Sequence, residues 1–173
     1  MWIWNFTWCI IYIQIQACKA VKFGAELLDS NQPTTGVYEI NHVCGDKPHI
    51  FHSHISSLQA QCDSEGWTVL LRRKANSSQQ LSFRLTWSEY QHGFEDLNTE
   101  FWYGLHNIHC LTTREQVDLQ IDLKYDNGTE YTYTYQHFIV DGSENKYTLH
   151  IGRLLEPIPG HDNMAYNNDH YLW

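Results

Sequence analysis

Histidine side chains are the first residues in this chain that could do chemistry, because neutral imidazole is a common metal ligand. The chain contains 11 histidines, and the densest group is His49, His52 and His54. On a strand, His52 and His54 would share one face and could offer two imidazoles to Zn²⁺. No cysteine or carboxylate lies nearby at a suitable spacing, so a solvated, histidine-rich loop is the favoured interpretation. His106 and His109 have helical spacing, which favours packing or capping over metal binding.

The C-terminal tail contains a second group of candidate metal ligands, all with side-chain oxygens. They are Asp162, Asn163, Asn167, Asn168 and Asp169. A calcium site collects about six to eight oxygen ligands, and this spacing provides no loop that would gather them. We therefore predict no calcium site and no other cofactor.

Motifs for catalysis are missing from the sequence. It contains no G-x-S-x-G, no H-E-x-x-H and no glycine-rich phosphate loop, so we predict that the protein is not an enzyme. Tyr131, Tyr133 and Tyr135 alternate and could form a platform on which sugars stack. Alternating tyrosines in a strand are more often one packed face, and this second interpretation is favoured.

The composition limits the classes of partner. The net charge is -9 and the pI is about 5.6, which argues against nucleic acid because a phosphate backbone is bound by clustered lysine and arginine. A length of 173 residues is enough for one domain with a core and short for two.

The N-terminal segment differs from the rest of the chain. Residues 1–15 are almost wholly apolar and are followed by the small residue Ala17. This pattern predicts a secretory signal peptide over residues 1–17, with cleavage between Ala17 and Cys18. The segment is short for a membrane span, so we predict no span after removal of the leader. A signal anchor and a buried first strand remain alternatives.

Cysteines and sequons also indicate secretion. Removing the leader removes Cys9 and leaves four cysteines, an even number typical of a disulfide-bonded secreted domain: Cys18, Cys44, Cys62 and Cys110. Asn76 and Asn127 lie in N-x-S/T sequons within polar, turn-like segments, where glycans would be exposed.

The elements that must position these residues are mostly strands. Strands are predicted over 37–40, within 55–62 and over 67–73. The clearest alternation is Val117 to Tyr125, followed by a tight turn at 126–128. A returning strand begins near Tyr131, and its phase slips after His137 as a bulge would make it. A third strand around 147–151 completes an antiparallel meander, and the tail over 153–173 is irregular.

Residues 87–105 form the densest aromatic stretch of the chain. Gly93 and Gly104 follow aromatic residues there and are predicted to end or bend short helical pieces. Large aromatic residues bury much area, so this stretch predicts a core over which the domain closes.

With these motifs in order, the sequence resembles the fibrinogen C-terminal domain, or fibrinogen-related domain. The matching motifs include T-G-V-Y-E-I at 35–40, C-D followed by G-W-T-V over 62–69, and E-F-W-Y-G at 100–104. The signature residues are Trp67, Trp87, Tyr90, Gly93, Phe94, Glu100, Phe101, Trp102 and Gly104. The resemblance covers residues 18–152.

The resemblance implies an α+β fold, in which a twisted antiparallel sheet is accompanied by short helices. It also implies a bridge between Cys18 and Cys62, which leaves Cys44 with Cys110; spacing alone allows three pairings. The C-terminal calcium and ligand subdomain of the family does not match any part of this chain, and no collagen-like or coiled-coil stalk for oligomerisation precedes Cys18.

The function implied by the resemblance is secreted, extracellular recognition. The leading hypothesis is lectin-like binding of acetylated sugars on microbial or host surfaces in innate immunity. The alternatives are an extracellular protein-binding ligand in adhesion, signalling or haemostasis, or an inactive truncated product.

Overall fold

A computed structural model describes residues 9–15, 36–41, 57–62, 67–74, 81–113 and 116–155 of the chain. The described strands are β1 Cys9–Ile15, β2 Gly36–Asn41, β3 Ser57–Cys62, β4 Thr68–Arg73, β5 Phe101–Trp102, β6 Val117–Tyr125, β7 Glu130–Val140 and β8 Leu149–His150. Two helices, α1 Trp87–His92 and α2 Leu105–Thr112, and a 3-10 turn over Ser143–Asn145 complete the described elements.

The strands form one antiparallel arrangement within the described residues. Its order is β2-β3-β4-β1-β6-β7-β8, and β5 pairs with β4 away from this path. The two helices are short and lie outside the sheet. The predicted α+β architecture, an antiparallel sheet with short helices, is confirmed.

The position of β1 differs from the sequence prediction. Residues 9–15 fall within the predicted leader, yet β1 lies between β4 and β6 and pairs antiparallel with both. Ile15 is fully buried, and the buried Gln14 donates from Nε2 to Asp122 Oδ2 at 3.1 Å. A leader and a central strand both require apolar residues, so composition could not separate them. Cleavage after Ala17 and the domain boundary at residue 18 both stay predictions.

The C-terminal meander is confirmed. The bounds of β6 agree with the predicted alternation, and β7 returns beside it after the turn at residues 126–128. The register shifts between Val117 and Leu119, opposite a residue with positive φ, His137 at 56°. An extra residue in one strand produces this shift, so the slip predicted after His137 is a bulge.

The core joins the sheet to α2. Its fully buried side chains come from seven elements and include Ile15, Ala60, Leu70, Phe101, Leu105, Ile108, Val117 and Val140. Burial on both faces was predicted for the strand over 67–73. Thr68, Val69, Leu70 and Arg72 of β4 are buried, which confirms that prediction.

The apolar face of β6 and β7 is buried at one end only. Tyr135, opposite Leu119, is 3% exposed, whereas Tyr131, opposite Leu123, is 38% exposed. The interpretation of the tyrosine row as a packed face therefore holds at Tyr135 and is wrong at Tyr131. Alternation assigns residues to a face, but it does not determine what covers that face.

Candidate functional site

Helix α1 begins the site with a complete capping box. Thr86 accepts from the backbone N–H of Glu89 at 3.4 Å, and the Glu89 carboxylate accepts from the Thr86 N–H at 2.7 Å. These bonds satisfy backbone donors that the first helical turn leaves without partners. Hydrogen bonds from Thr86 lower the pKa of Glu89. The capping box therefore fixes where the helix starts.

Gly93 ends the helix and contacts Gly104 through the backbone. Both glycines have positive φ, 88° and 95°. A Cβ on Gly93 would lie 2.7 Å from the Tyr103 carbonyl oxygen, and one on Gly104 would lie 2.6 Å from the Gly93 nitrogen. Only glycine suits both the conformation and the space. We call this close approach of two backbone segments the glycine clasp; the two glycines predicted to end or bend helical pieces lie there.

Aromatic rings pack beside the glycine clasp. Phe94 and Trp102 pair through two backbone hydrogen bonds of 3.0 and 3.2 Å. Trp102 Nε1 donates to the Tyr90 carbonyl at 2.8 Å, and the Tyr90 hydroxyl donates to the Phe83 carbonyl at 2.7 Å. The ring centroid of Tyr90 lies 5.3 Å from that of Phe94 and 5.8 Å from that of Trp102. The buried polar atoms of Tyr90 and Trp102 thus have partners, which fixes the orientation of both rings.

Two buried charged residues hold the loops around this cluster. The Glu100 carboxylate accepts from the backbone N–H of Lys74 at 2.7 Å and of Leu81 at 3.2 Å. Arg72 donates from one guanidinium nitrogen to the carbonyls of Leu97 and Thr99 at 3.3 and 3.4 Å. Burial lowers the pKa of the Arg72 guanidinium. The two side chains tie the loops before and after α1 to β4.

A cleft opens beside the glycine clasp, which we call the signature cleft. Its volume is about 310 Å³. Its lining includes buried or half-buried apolar residues, which we call the wall: Phe94, Leu97, Trp102 and Tyr103. It also includes exposed or half-buried polar residues, which we call the rim: Gln59, His92, Glu95 and Asn107. The cleft is open to solvent and most of its surface is polar; because apolar and polar side chains meet there, it is a candidate binding site.

Tyr103 of the wall and Glu95 of the rim show how the fold builds the cleft. The Tyr103 hydroxyl donates to the Gln59 carbonyl at 3.0 Å, and burial raises the pKa of Tyr103 well above its usual range. Tyr103 is therefore a neutral structural donor at physiological pH. Glu95 has a φ of 69° without being glycine, and such strain is concentrated at functional sites.

The structure brings most of the signature residues together. Tyr90, Gly93, Phe94, Glu100, Phe101, Trp102 and Gly104 all lie in or around the glycine clasp. Trp67 is buried at the start of β4, whereas Trp87 is 46% exposed and its ring lies 6.2 Å from that of Tyr147. Trp87 therefore does not belong to the core, although the aromatic stretch predicted a core position.

The cleft includes residues that the sequence did not single out. Glu95, Asn107 and Gln59 lie in no motif, and Gln59 is distant in the sequence. Asn107 donates to the Tyr103 carbonyl at 2.7 Å, one turn into α2. No signal in the sequence identifies them, because the packing of β3, α2 and the segment after α1 decides which side chains meet at the rim.

Cysteine and glycan predictions fall partly within the described residues. Cys110 is buried on α2 and is disulfide-bonded. No other cysteine side chain is described, so the pairings of Cys44 with Cys110 and of Cys18 with Cys62 stay predictions. Asn127 is exposed at the turn between β6 and β7, and its glycosylation also stays a prediction. Asn76 lies outside the described residues.

Metal and membrane predictions are tested only in part. Within the described ranges, no group of three or more His, Cys, Asp or Glu residues could hold a metal ion. The cluster at His49, His52 and His54, and the oxygen donors between Asp162 and Asp169, lie outside those ranges. Neither described helix is long and apolar enough to cross a membrane.

Comparison with known proteins identifies the fold family. The sequence-family model for the C-terminal globular domain of fibrinogen beta and gamma chains matches residues 30–170 of this chain. The chain belongs to this family. The resemblance seen in the motifs is therefore confirmed, and the glycine clasp with its aromatic cluster is part of a fibrinogen C-terminal domain.

Several relatives share this domain. Fibroleukin from Homo sapiens is 42% identical over 101 residues, which is 56% of this chain and 22% of fibroleukin. Angiopoietin-2 from Homo sapiens is 31% identical over 131 residues, which is 73% of this chain and 24% of angiopoietin-2. The chain thus spans less than a quarter of the length of these two relatives.

Solved structures confirm the fibrinogen-like fold. The fibrinogen-like globe domain of human ANGPTL2 has a TM-score of 0.60 and 26% identity, covering 80% of this chain and 58% of that one. Lamprey fibrin D-dimer, complexed with the peptide ligand Gly-His-Arg-Pro-amide, has a TM-score of 0.61 and 27% identity, covering 82% of this chain and 40% of that one.

Proposed function

We propose that this protein is a non-enzymatic, extracellular recognition protein whose fibrinogen-related domain binds another protein. The observation that supports the proposal most directly is the similar lamprey fibrin structure, which holds a peptide ligand. The matching relatives, fibroleukin and angiopoietin-2, also favour the protein-binding alternative over the lectin hypothesis.

The signature cleft is the proposed contact point on this chain. A volume of about 310 Å³ is at the lower limit for a ligand pocket and suits one or two side chains of a protein partner. Phe94 and Leu97, both half-buried, would contact the apolar part of the entering side chain. His92 and Glu95, both exposed on the rim, would bond its polar end.

The second candidate function is binding of an acetylated sugar in the same cleft. It is favoured by the combination of aromatic rings with amide and carboxylate groups at the rim, since these can stack on a sugar and hydrogen-bond its hydroxyls. The two candidates use the same residues but differ in the class of ligand.

Paired screens of the secreted protein would separate the candidates. One array would display extracellular proteins and receptor ectodomains, and the other would display glycans that include N-acetylglucosamine. We expect saturable binding on the protein array. Binding restricted to acetylated glycans would contradict the proposal and support the lectin hypothesis, and binding on neither array would contradict both candidates.

The Glu95→Gly variant tests the cleft without disturbing the fold. Glu95 has positive φ, which glycine adopts readily, so the substitution removes the rim carboxylate and keeps the backbone. Lys146→Gly is the matched control, because Lys146 is also exposed, also has positive φ, at 54°, and does not line the cleft. We expect Glu95→Gly to weaken partner binding by about tenfold and Lys146→Gly to leave it unchanged.

A further inference from the structure

The described residues cover only part of the outer edge of β7. Beyond β7, β8 pairs with Ile139 and Val140, and the segment after β8 reaches Gln136 and Thr134, where the Leu155 N–H donates to the Thr134 carbonyl at 2.8 Å. Within the described residues, no backbone group pairs with the outer side of β7 between Glu130 and Tyr133. We call this stretch the hairpin edge.

The sequence beyond the described pairing contains a proline. The bridge between Tyr135 and Leu154 sets an antiparallel register. Continuing that register would place Pro157 opposite Thr132. Proline has no N–H, so the chain in this register could not donate a hydrogen bond to the Thr132 carbonyl.

One face of the hairpin edge is aromatic. Tyr131 is 38% exposed and Tyr133 is half-buried, and their rings are stacked with centroids 6.4 Å apart. The ring of Tyr125 lies 5.9 Å from that of Tyr131. Exposed tyrosines offer large contact areas at low entropic cost and are enriched where proteins bind other proteins.

The opposite face of the hairpin edge is acidic. Glu130 and Thr132 of β7 lie on that face, and the Thr132 hydroxyl donates to Asp122 Oδ1 at 2.6 Å. Lys124 pairs with Glu130, and Asp118 is a further carboxylate on β6. The whole chain has a net charge of -9, so a second copy would be repelled and a basic partner would be attracted.

We infer that the hairpin edge binds an extended, basic segment of another protein as an added antiparallel strand. The backbone of the segment would pair with the outer N–H and C=O groups of β7 around Thr132. Aliphatic side chains at alternate positions would lie on Tyr131 and Tyr133. Lysine or arginine side chains at the other positions would face the carboxylate of Asp122 and would share that of Glu130 with Lys124. This inference rests on the proposed protein-binding function and identifies a second contact surface and the chemistry of the partner.

The probe for the test is a short peptide of alternating lysine and valine, acetylated and amidated at its ends. The parent protein and every variant in this test carry Thr129→Ala. This substitution removes the Asn127 sequon beside the hairpin edge and excludes a glycan there. We expect saturable binding in a fluorescence anisotropy titration. A peptide of alternating glutamate and valine, and a lysine–valine peptide with methylated backbone nitrogens along one edge, should bind at least about tenfold more weakly.

Three variants locate the binding. Thr132→Pro removes the outward N–H, Tyr131→Ser removes the most exposed ring, and each should weaken binding by at least about tenfold. Ile139→Ser is the matched control, because Ile139 is 36% exposed on the same strand, at a position that β8 already covers. Its binding should stay within about twofold of the parent. Since Tyr131→Ser alters only an exposed side chain, it keeps the test valid even if Thr132→Pro fails to fold.

Several outcomes would overturn the inference. Equal binding of the lysine and glutamate peptides would exclude charge complementarity, and full binding by both Thr132→Pro and Tyr131→Ser would exclude the edge. A response to chitooligosaccharide alone would assign the tyrosines to sugar. A protein partner from the array that binds Thr132→Pro and Tyr131→Ser normally would overturn the edge and leave the proposed function standing, whereas the absence of any protein partner would overturn the proposed function itself.

Discussion

At the scale of single residues, the site depends on positions that only one residue type can fill. A Cβ on Gly93 would clash with the backbone of Trp102 and Tyr103, and one on Gly104 would clash with the backbone of His92 and Gly93. Both glycines have positive φ. Glu95, next to them, has positive φ with a side chain present. The backbone of the cleft is thus constrained where the partner is proposed to bind.

Alanine substitutions separate steric from conformational costs at these glycines. Gly93→Ala and Gly104→Ala should each lower the free energy of unfolding by about 3 kcal/mol or more, because the new Cβ would lie within 2.7 Å and 2.6 Å of backbone atoms. Gly128→Ala is the control, with φ of 82° and nothing within 4 Å, and should cost only about 1 kcal/mol. Urea denaturation measures all three, and equal losses would contradict the steric argument.

The second residue-scale prediction concerns pH. Burial raises the pKa of Tyr103 above its unfolded value of about 10, so the folded state holds the phenol proton more tightly. The protonated phenol therefore favours the folded state, and this part of the free energy of unfolding is fully present below about pH 10. It is lost as the pH rises above that value, by up to about 1.4 kcal/mol per pH unit.

Tyr103→Phe isolates that contribution. Because the variant lacks the hydrogen bond to the Gln59 carbonyl, its free energy of unfolding at neutral pH should be about 1 kcal/mol lower than that of the parent. Above about pH 10 its stability should fall less steeply than that of the parent. Denaturant titrations between about pH 7 and pH 11 measure both effects. Curves that stay parallel through the alkaline range would show that Tyr103 does not titrate differently on folding.

At the scale of elements, short segments are positioned by a few buried polar side chains. The carboxylate of Glu100, beside β5, holds the end of β4 at Lys74 and the approach to α1 at Leu81. Arg72 does the same for the loop between α1 and β5. The helices here are short, so these contacts, more than helix propensity, hold them in position.

Glu100→Gln tests this role with little change in shape. The two backbone N–H groups bond to different carboxylate oxygens, and glutamine offers only one acceptor, so one donor loses its partner. We expect a loss of about 1 to 3 kcal/mol and faster hydrogen exchange at Lys74 or Leu81. The control Glu95→Gln, on an exposed side chain, should change stability by less than about 0.5 kcal/mol. Unchanged exchange at both amides would refute the role of Glu100.

At the scale of the whole molecule, β1 connects the two halves of the sheet. It is the only described strand that pairs with both β4 and β6. Its apolar side chains also contribute to the core through Ile15. The meander of β6, β7 and β8 is therefore joined to the β2-β3-β4 part through residues that also satisfy the criteria for a leader.

Ile15→Ala distinguishes the two roles. If β1 is part of the folded, secreted protein, the substitution should lower the free energy of unfolding by about 3 kcal/mol, as expected for a buried isoleucine. N-terminal sequencing of the same sample determines whether residues 9–15 are retained. A secreted protein that begins at Cys18, with stability unaffected by Ile15→Ala, would contradict β1 as part of the mature sheet and confirm the leader.

Local patterns in the sequence were enough to predict the strands, the turn and the family. The alternation from Val117 to Tyr125, the turn at residues 126–128 and the slip after His137 reflect the two-residue period of a strand, which is a local property. The signature between Trp87 and Gly104 identified the fibrinogen-related domain, because its glycines and aromatic residues meet demands that few sequences satisfy.

The places where the elements meet became evident from the three-dimensional packing. The apolar residues of β1 suit a leader or a central strand equally well; the structure pairs them with β4 and β6, and cleavage after Ala17 stays a prediction. Tyr131 and Tyr135 share a face, yet one is exposed and the other is buried, because burial depends on what packs against the face. Gln59, Glu95 and Asn107 meet at one cleft for the same reason. Such contacts join residues far apart in the chain, and no local pattern encodes them.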